Sequence, residues 1–289
     1  HADLLAYLVR RLLENGANGS FVHQIADREV PAAVVAADPF AALPTARNIV
    51  TGADLHLPRR NGKGFDLTDP VALEALLAER DRFGAASKRW FAASSALVSG
   101  EAGEKFEIVS PATGQPVGEA IGAGPQTIEL ALARAREAIP DWVAHPPSER
   151  ATLLRHIADL YERNAAEFFA LLAREAGRTL PDAVSELREA VDFLRFYADE
   201  AERYGAREPL GVVAAISPWN FPLAIFTGQI AAALASGNVV IAKPAETTPL
   251  IAARAVAMMY EAGIGEDVVQ LLPGRGASVG MALVSDPRI

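Results

Sequence analysis

The chain has 289 residues, 51% of them hydrophobic, with a mean hydropathy of +0.15 and no cysteine. That length supports two domains, or one domain with parts of others, and the missing cysteine excludes disulfides, thiolate metal sites and a cysteine nucleophile within these residues. A net charge of −9 and a pI near 5.2 argue against nucleic acid or an anionic membrane as a main partner of this segment.

The five histidines, at positions 1, 23, 56, 145 and 156, have no metal-ligand spacing. No apolar run reaches the roughly 18 residues of a membrane span, and no secretory signal opens the chain, so the cytoplasm is the expected compartment. Residues 3–14 are predicted to form an amphipathic helix, with Leu4, Leu5, Leu8, Leu12 and Leu13 at helical spacing. Asn15, Gly16, Asn18 and Gly19 then end it with residues that tolerate positive φ. Arg10 and Arg11 are adjacent, so they point about 100° apart on the helix. Two readings are open for them: solvated cations near a helix C-terminus, or a guanidinium pair gripping a carboxylate in bidentate fashion. The chain opens inside this helical pattern and stops at Asp286-Pro287-Arg288-Ile289 directly after another helix. It is expected to be an internal segment of a longer protein.

Between 23 and 98, prolines at 31, 39, 44, 58 and 70 punctuate short segments. Residues 69–83 are predicted to be a helix capped by Thr68 or Asp69, with Glu74 and Glu79 facing solvent. The stretch is too apolar for a disordered tether, and Ile49, Val50, Leu55 and Leu57 need cover, so it reads as a linker packed on its neighbours. Residues 106–121 are strand, turn, strand, with Pro111 and Gly114 in the turn. Helices are then expected at 127–138, from 148 onward, at 164–177 and at 181–205.

From 209 the pattern alternates: strands at 211–216, 238–242 and 268–272, helices at 223–235, 249–262 and 277–284. Such alternation implies a parallel sheet with right-handed crossovers. The first of these strands ends in Ser217-Pro218-Trp219-Asn220-Phe221-Pro222, a polar turn held rigid by its prolines. The carboxyl end of a parallel strand is where open α/β sheets place ligands. Lys243-Pro244-Ala245-Glu246 follows the second strand, and it is either solvated or holds a ribose or phosphate near the next helix start. Gly274-Arg275-Gly276-Ala277-Ser278-Val279-Gly280 follows the third, a glycine pattern that is weak alone and strengthened by its strand-loop-helix setting.

Residues 7–22, Tyr-Leu-Val-Arg-Arg-Leu-Leu-Glu-Asn-Gly-Ala-Asn-Gly-Ser-Phe-Val, resemble the last helix of the proline dehydrogenase barrel in the proline utilization A family. Pro-Trp-Asn-Phe-Pro at 218–222, Lys-Pro-Ala-Glu at 243–246 and Leu-Pro-Gly-Arg-Gly at 272–276 are similar, in order and spacing, to the aldehyde dehydrogenase superfamily. The resemblance implies an α/β fold: an aldehyde-dehydrogenase-type, Rossmann-like parallel sheet with helices (99–289), preceded by a linker arm (31–98) and the end of a (β/α)8 proline dehydrogenase barrel (1–30). It implies a bifunctional enzyme that oxidises proline with FAD and then the resulting glutamate semialdehyde with NAD.

By the same resemblance Asn220 donates a hydrogen bond to the oxyanion, and Arg10 and Arg11 bind the carboxylate of proline. Glu14 lies near the flavin. Ile216, Ser217, Pro218 and Trp219 line the NAD site, Lys243 and Glu246 contact the adenosine ribose, and Gly276 and Ser278 lie by the pyrophosphate and adenine. The family's nucleophile is a cysteine, which these residues lack, and its general-base glutamate is expected beyond Ile289. The segment alone is therefore expected to be inactive. The expected partners are the rest of the same polypeptide and the two small substrates, in a homo-oligomer, with any peripheral membrane contact made elsewhere in the protein. Two other readings are a stand-alone aldehyde dehydrogenase, against which residues 7–22 argue, and a non-catalytic nucleotide-binding scaffold.

Overall fold

The computed structural model describes residues 2–16, 21–38, 50, 52–84, 89–98, 101 and 103–289. The chain divides into two compact units, His1–Val50 and Thr51–Ile289.

The described part of the first unit is helical: α1 (Ala2–Gly16), α2 (Phe21–Ala26) and the single turn α3 (Ala32–Val35). The predicted leucine stripe forms on α1, and Leu5, Leu12 and Leu13 are each at least 70% exposed. Asn18 and Gly19, expected to end the helix, lie outside the described residues.

In the second unit, the single 3-10 turn Gly52–Asp54 and a tight turn closed by the His56–Arg59 bridge come first. They lead into residues 61–67, which run along the helical layer as an arm. The backbone N–H of Gly62 donates to Asp192 Oδ1 at 2.5 Å, that of Lys63 to Glu162 Oε1 at 2.6 Å, and Arg195 Nη1 donates to Asn61 O at 3.0 Å. Gly62 suits this approach, because a Cβ there would make a tight contact of 3.0 Å with the carbonyl oxygen of Arg188. Phe65 and Leu67 supply the arm's apolar contacts, and Phe65 meets Phe169 edge-on at 5.2 Å. The residues expected to need cover do not find it here. Leu55 and Leu57 are 59% and 62% exposed, Val50 in the other unit is 56% exposed, and Ile49 lies outside the described residues. Helix α4 (Pro70–Asp81) follows, with Asp69 as its cap, accepting from the N–H groups of Val71 and Ala72.

Two sheets follow. The first has the order β1-β3-β2, built from β1 (Trp90–Ala92), β2 (Lys105–Val109) and β3 (Pro116–Ile121). The predicted hairpin is β2–β3, antiparallel, with Gly114 at φ 68° in its turn. Strand β1 pairs parallel to β3 and lies within the stretch read as linker. It joins the core because Trp90 is buried and its indole N–H donates to Glu167 Oε1 at 3.0 Å. The helical layer is α5 (Pro125–Ala144), α6 (Pro147–Arg163), α7 (Ala165–Glu175) and α8 (Leu180–Tyr204). Helix α5 runs past its expected end through Pro140, carried on by burial of Trp142. The missing Pro140 N–H removes only one bond of the ladder.

The second sheet is β4 (Val212–Ile216), β5 (Val239–Lys243) and β6 (Val269–Leu271), all parallel and in that order. Its connections are α9 (Ala224–Ala235) and α10 (Pro249–Glu261). Strand β5 is buried along its whole length, as a central strand covered on both faces must be. The helix expected over 277–284 is instead a π turn at Gly276–Gly280 followed by the short α11 (Met281–Val284). The wider turn forms where the side chains are small and two of the five residues are glycine, which resist regular α-helix.

Candidate functional site

The parallel sheet sends three loops from the same carboxyl edge: 217–223 after β4, 244–248 after β5 and 272–280 after β6. Register brings the first two together, since Ile216 pairs with Lys243 and the Ser217 N–H donates to Lys243 O at 3.1 Å. A hydrogen bond joins the second and third, from the Gly276 N–H to Glu246 Oε2 at 2.8 Å. Every site residue expected from 216 to 278 therefore lies on one edge.

Ser217 is buried and Pro218 half-buried, while Trp219 and Asn220 stand exposed at the tip. Trp219 is 62% exposed, a large apolar surface for a residue held in a proline-locked turn. Lys243 is not solvated. It is 3% exposed, its Nζ donates to Pro244 O at 2.8 Å, and burial pushes its pKa down while Glu246 pulls it back up. An ammonium has three donors, so capacity is left after the Pro244 bond. Ser278 Oγ donates to Arg275 O at 3.5 Å within the π turn. Arg275 turns away and pairs with Glu104 at 2.7 Å.

The end of the glycine loop lies beside Lys243, where a Cβ on Gly280 would meet the lysine Cε at 3.6 Å. Gly274 has φ 145°, and a Cβ there would collide with the side chain of Val279. A Cβ on Gly276 would meet nothing within 4 Å, so the space beside Glu246 is open. That opening has a buried ammonium and a carboxylate beside it, while the Gly276 and Gly280 N–H groups are bonded to Glu246 Oε2 and Arg275 O. It suits a polar ligand bearing hydroxyls.

Two groups behind the edge were not anticipated from sequence. Glu186 of α8 accepts at Oε1 from the N–H of Leu223 at 2.8 Å and of Ala224 at 3.4 Å. Glu175 of α7 accepts from Leu250 N at 2.7 Å and Ile251 N at 2.8 Å. Both are buried. Burial pushes both carboxyls up, that of Glu175 to about 8, against the downward pull of their backbone donors. Each occupies a position on an apolar helical stripe: 168, 171, 172 and 175 on α7, and 183, 186, 187 and 190 on α8. A carboxylate on such a stripe is the signal that was there to read.

In the first unit, Arg10 and Arg11 are exposed and pair with Glu14, Arg10 Nε at 3.5 Å and Arg11 Nη1 at 3.3 Å. The three expected residues are thus together on one face of α1. Among the described residues, no group of three or more His, Asp or Glu side chains could hold a metal ion. No helix among them is long and apolar enough to cross a membrane.

The bifunctional protein PutA of Escherichia coli K12 is 46% identical over 305 residues, covering 100% of this chain and 23% of that protein. The chain thus spans about a quarter of the length of the curated relatives it first matches. The 1-pyrroline-5-carboxylate dehydrogenase of Bacillus thuringiensis is 38% identical over 202 residues, 64% of this chain and 39% of that protein. Among solved structures, Bradyrhizobium japonicum proline utilization A matches with TM-score 0.69 and 40% identity over 99% of this chain and 28% of its own. The Thermus 1-pyrroline-5-carboxylate dehydrogenase with bound NAD matches with TM-score 0.74 and 34% identity, over 81% of this chain and 49% of its own. Residues 97–289, which contain the parallel sheet and all three of its loops, match the aldehyde dehydrogenase family. The chain belongs to the aldehyde dehydrogenase family.

Proposed function

We propose that this chain is the part of a bifunctional proline-oxidising enzyme that carries the NAD site of its glutamate-semialdehyde dehydrogenase. The observation that carries the reading is the convergence of Asn220, Lys243, Glu246 and Gly276 on one sheet edge, tied together by the Ser217–Lys243 and Gly276–Glu246 hydrogen bonds. Matches to proteins named as PutA that extend over the whole chain, residues 1–50 included, favour the bifunctional form over a stand-alone dehydrogenase. On this reading residues 1–30 end a proline dehydrogenase barrel, 31–98 form the arm and 99–289 begin the aldehyde dehydrogenase domain.

Lys243 and Glu246 hold the adenosine ribose through donor and acceptor respectively. Gly276 and Ser278 lie by the pyrophosphate and adenine, and Ile216, Ser217, Pro218 and Trp219 form the wall beside the cofactor. NAD, when bound, accepts the hydride released from the substrate carbon. Asn220 presents an amide donor to the oxygen of the reacting carbonyl as negative charge grows on it, and stabilises that charge electrostatically. A chain without cysteine cannot form the thiohemiacetal itself, so the nucleophile comes from elsewhere in the polypeptide and these residues alone are inactive.

Arg10 and Arg11 bind the carboxylate of proline, with Glu14 near the flavin. The described residues of 1–50 are three helices without a strand, so by themselves they do not fit FAD, and the flavin belongs to other parts of the protein. The test is Asn220→Ala in the intact enzyme. A fall in kcat for semialdehyde oxidation of on the order of 100-fold is expected, with NAD affinity retained. An unchanged kcat would remove Asn220 from the site.

A further inference from the structure

The loops of the sheet edge run straight into helices whose first N–H groups are buried, and a buried donor without an acceptor is costly. Neither helix caps itself. Leu223 at the start of α9 has no side-chain acceptor, and Thr248 at the start of α10 makes no side-chain cap bond. Glu186 and Glu175 supply the acceptors from the helical layer behind the sheet. Each therefore fixes the far end of one site loop: Glu186 the turn that carries Asn220, and Glu175 the loop that carries Lys243 and Glu246.

Glu186 has a second arm. Its Oε2 lies 3.5 Å from Arg178 Nε, and the Arg178 guanidinium lies over the ring of Phe221, 5.0 Å from its centroid. Arg178 and Glu186 are 23% and 2% exposed in their side chains, so the pair is largely shielded from water, an ion pair in which Glu186 Oε2 and Arg178 Nη2 make no hydrogen bond. Asn220 is followed at once by Phe221, on which the arginine rests, and three residues later by Leu223, whose N–H the glutamate accepts. The prolines at 218 and 222 stiffen the turn between these anchors.

We propose that Glu186, acting with Arg178, is a positioning residue that sets where Asn220 presents its amide. The proposal rests on the reading of Asn220 as the oxyanion donor. A donor that acts on developing charge works only at the right distance and angle, and a displacement of about 1 Å can lower the rate by on the order of 100-fold. An anchor of the turn thus reaches the rate without touching the substrate.

A double-mutant cycle in the intact enzyme, reading kcat for semialdehyde oxidation, separates positioning from simple stabilisation. Glu186→Gln, which keeps an acceptor oxygen and removes the charge, is expected to lower kcat about tenfold in the native background. In the Asn220→Ala background the same change is expected to alter kcat by less than about twofold, because the group it positions is gone. Arg178→Lys, which keeps the charge and loses the contact with the Phe221 ring, is expected to show the same dependence on Asn220 with a smaller effect. It carries the test if Glu186→Gln fails to fold. Equal losses in both backgrounds, or a lowered Tm with unchanged kcat, would overturn the proposal. An Asn220→Ala variant with native kcat would instead overturn the reading beneath it.

Discussion

Asn220 is uncharged and exposed, and the role proposed for it comes entirely from where the backbone carries it. The turn was legible because two prolines bracket a polar residue immediately after an apolar strand, and Lys243 because it ends the next strand. Glu175 and Glu186 are not singled out from the sequence, because their backbone partners at 250–251 and 223–224 are distant in sequence. Their positions on the apolar stripes of α7 and α8 were the available clue. Glu175 also makes a pH-dependent contribution. Its carboxyl is held at about 8 in the fold, against 4.5 for the exposed group, so between those values the folded state holds a proton that the opened state has lost. Stability from this group accordingly declines as pH rises from about 5 to about 8. In the intact protein, the protection factors of the Leu250 and Ile251 amides are expected to fall over that range. In Glu175→Gln, which cannot ionise, they are expected to stay level. A fall of the same size in the variant would show that other groups cause it.

At the scale of elements, the alternation of strands and helices from 209 onward was readable because each short β-branched run is followed by a helix-length apolar pattern. Strand β1 was missed: it has three residues, too few to show an alternating pattern, so only its partner β3 identifies it. The π turn was missed because local spacing cannot distinguish a widened turn from a regular helix. Its geometry makes Gly274→Ala costly. A non-glycine residue at φ 145° is strained and its Cβ meets Val279, so a loss on the order of 1–3 kcal/mol is expected, together with weaker NAD binding. A native melting curve and native affinity would contradict the role given to that loop. At α4, Asp69→Ala removes the acceptor for Val71 and Ala72 and is expected to cost about 1 kcal/mol of local stability, read as faster amide exchange in the first turn.

At the scale of the molecule, the change of character near 105 suggested a linker ending at 98. The second unit, however, begins at Thr51, because the arm hydrogen-bonds to Asp192, Glu162 and Arg195 and β1 enters the first sheet. Such contacts pair residues about 100 or more apart in sequence, which local patterns do not encode. The separation of α1, with Arg10, Arg11 and Glu14, from the sheet edge, with Lys243 and Asn220, into different units gives the two proposed activities different residues. The direct measurement is the Kd for NAD of the intact protein and its Lys243→Ala variant, alongside the rate of proline oxidation. Loss of the buried ammonium is expected to raise Kd about tenfold or more, while proline oxidation stays nearly unchanged. An unchanged Kd, or an equal loss of both activities, would contradict the assignment of the sheet edge to NAD.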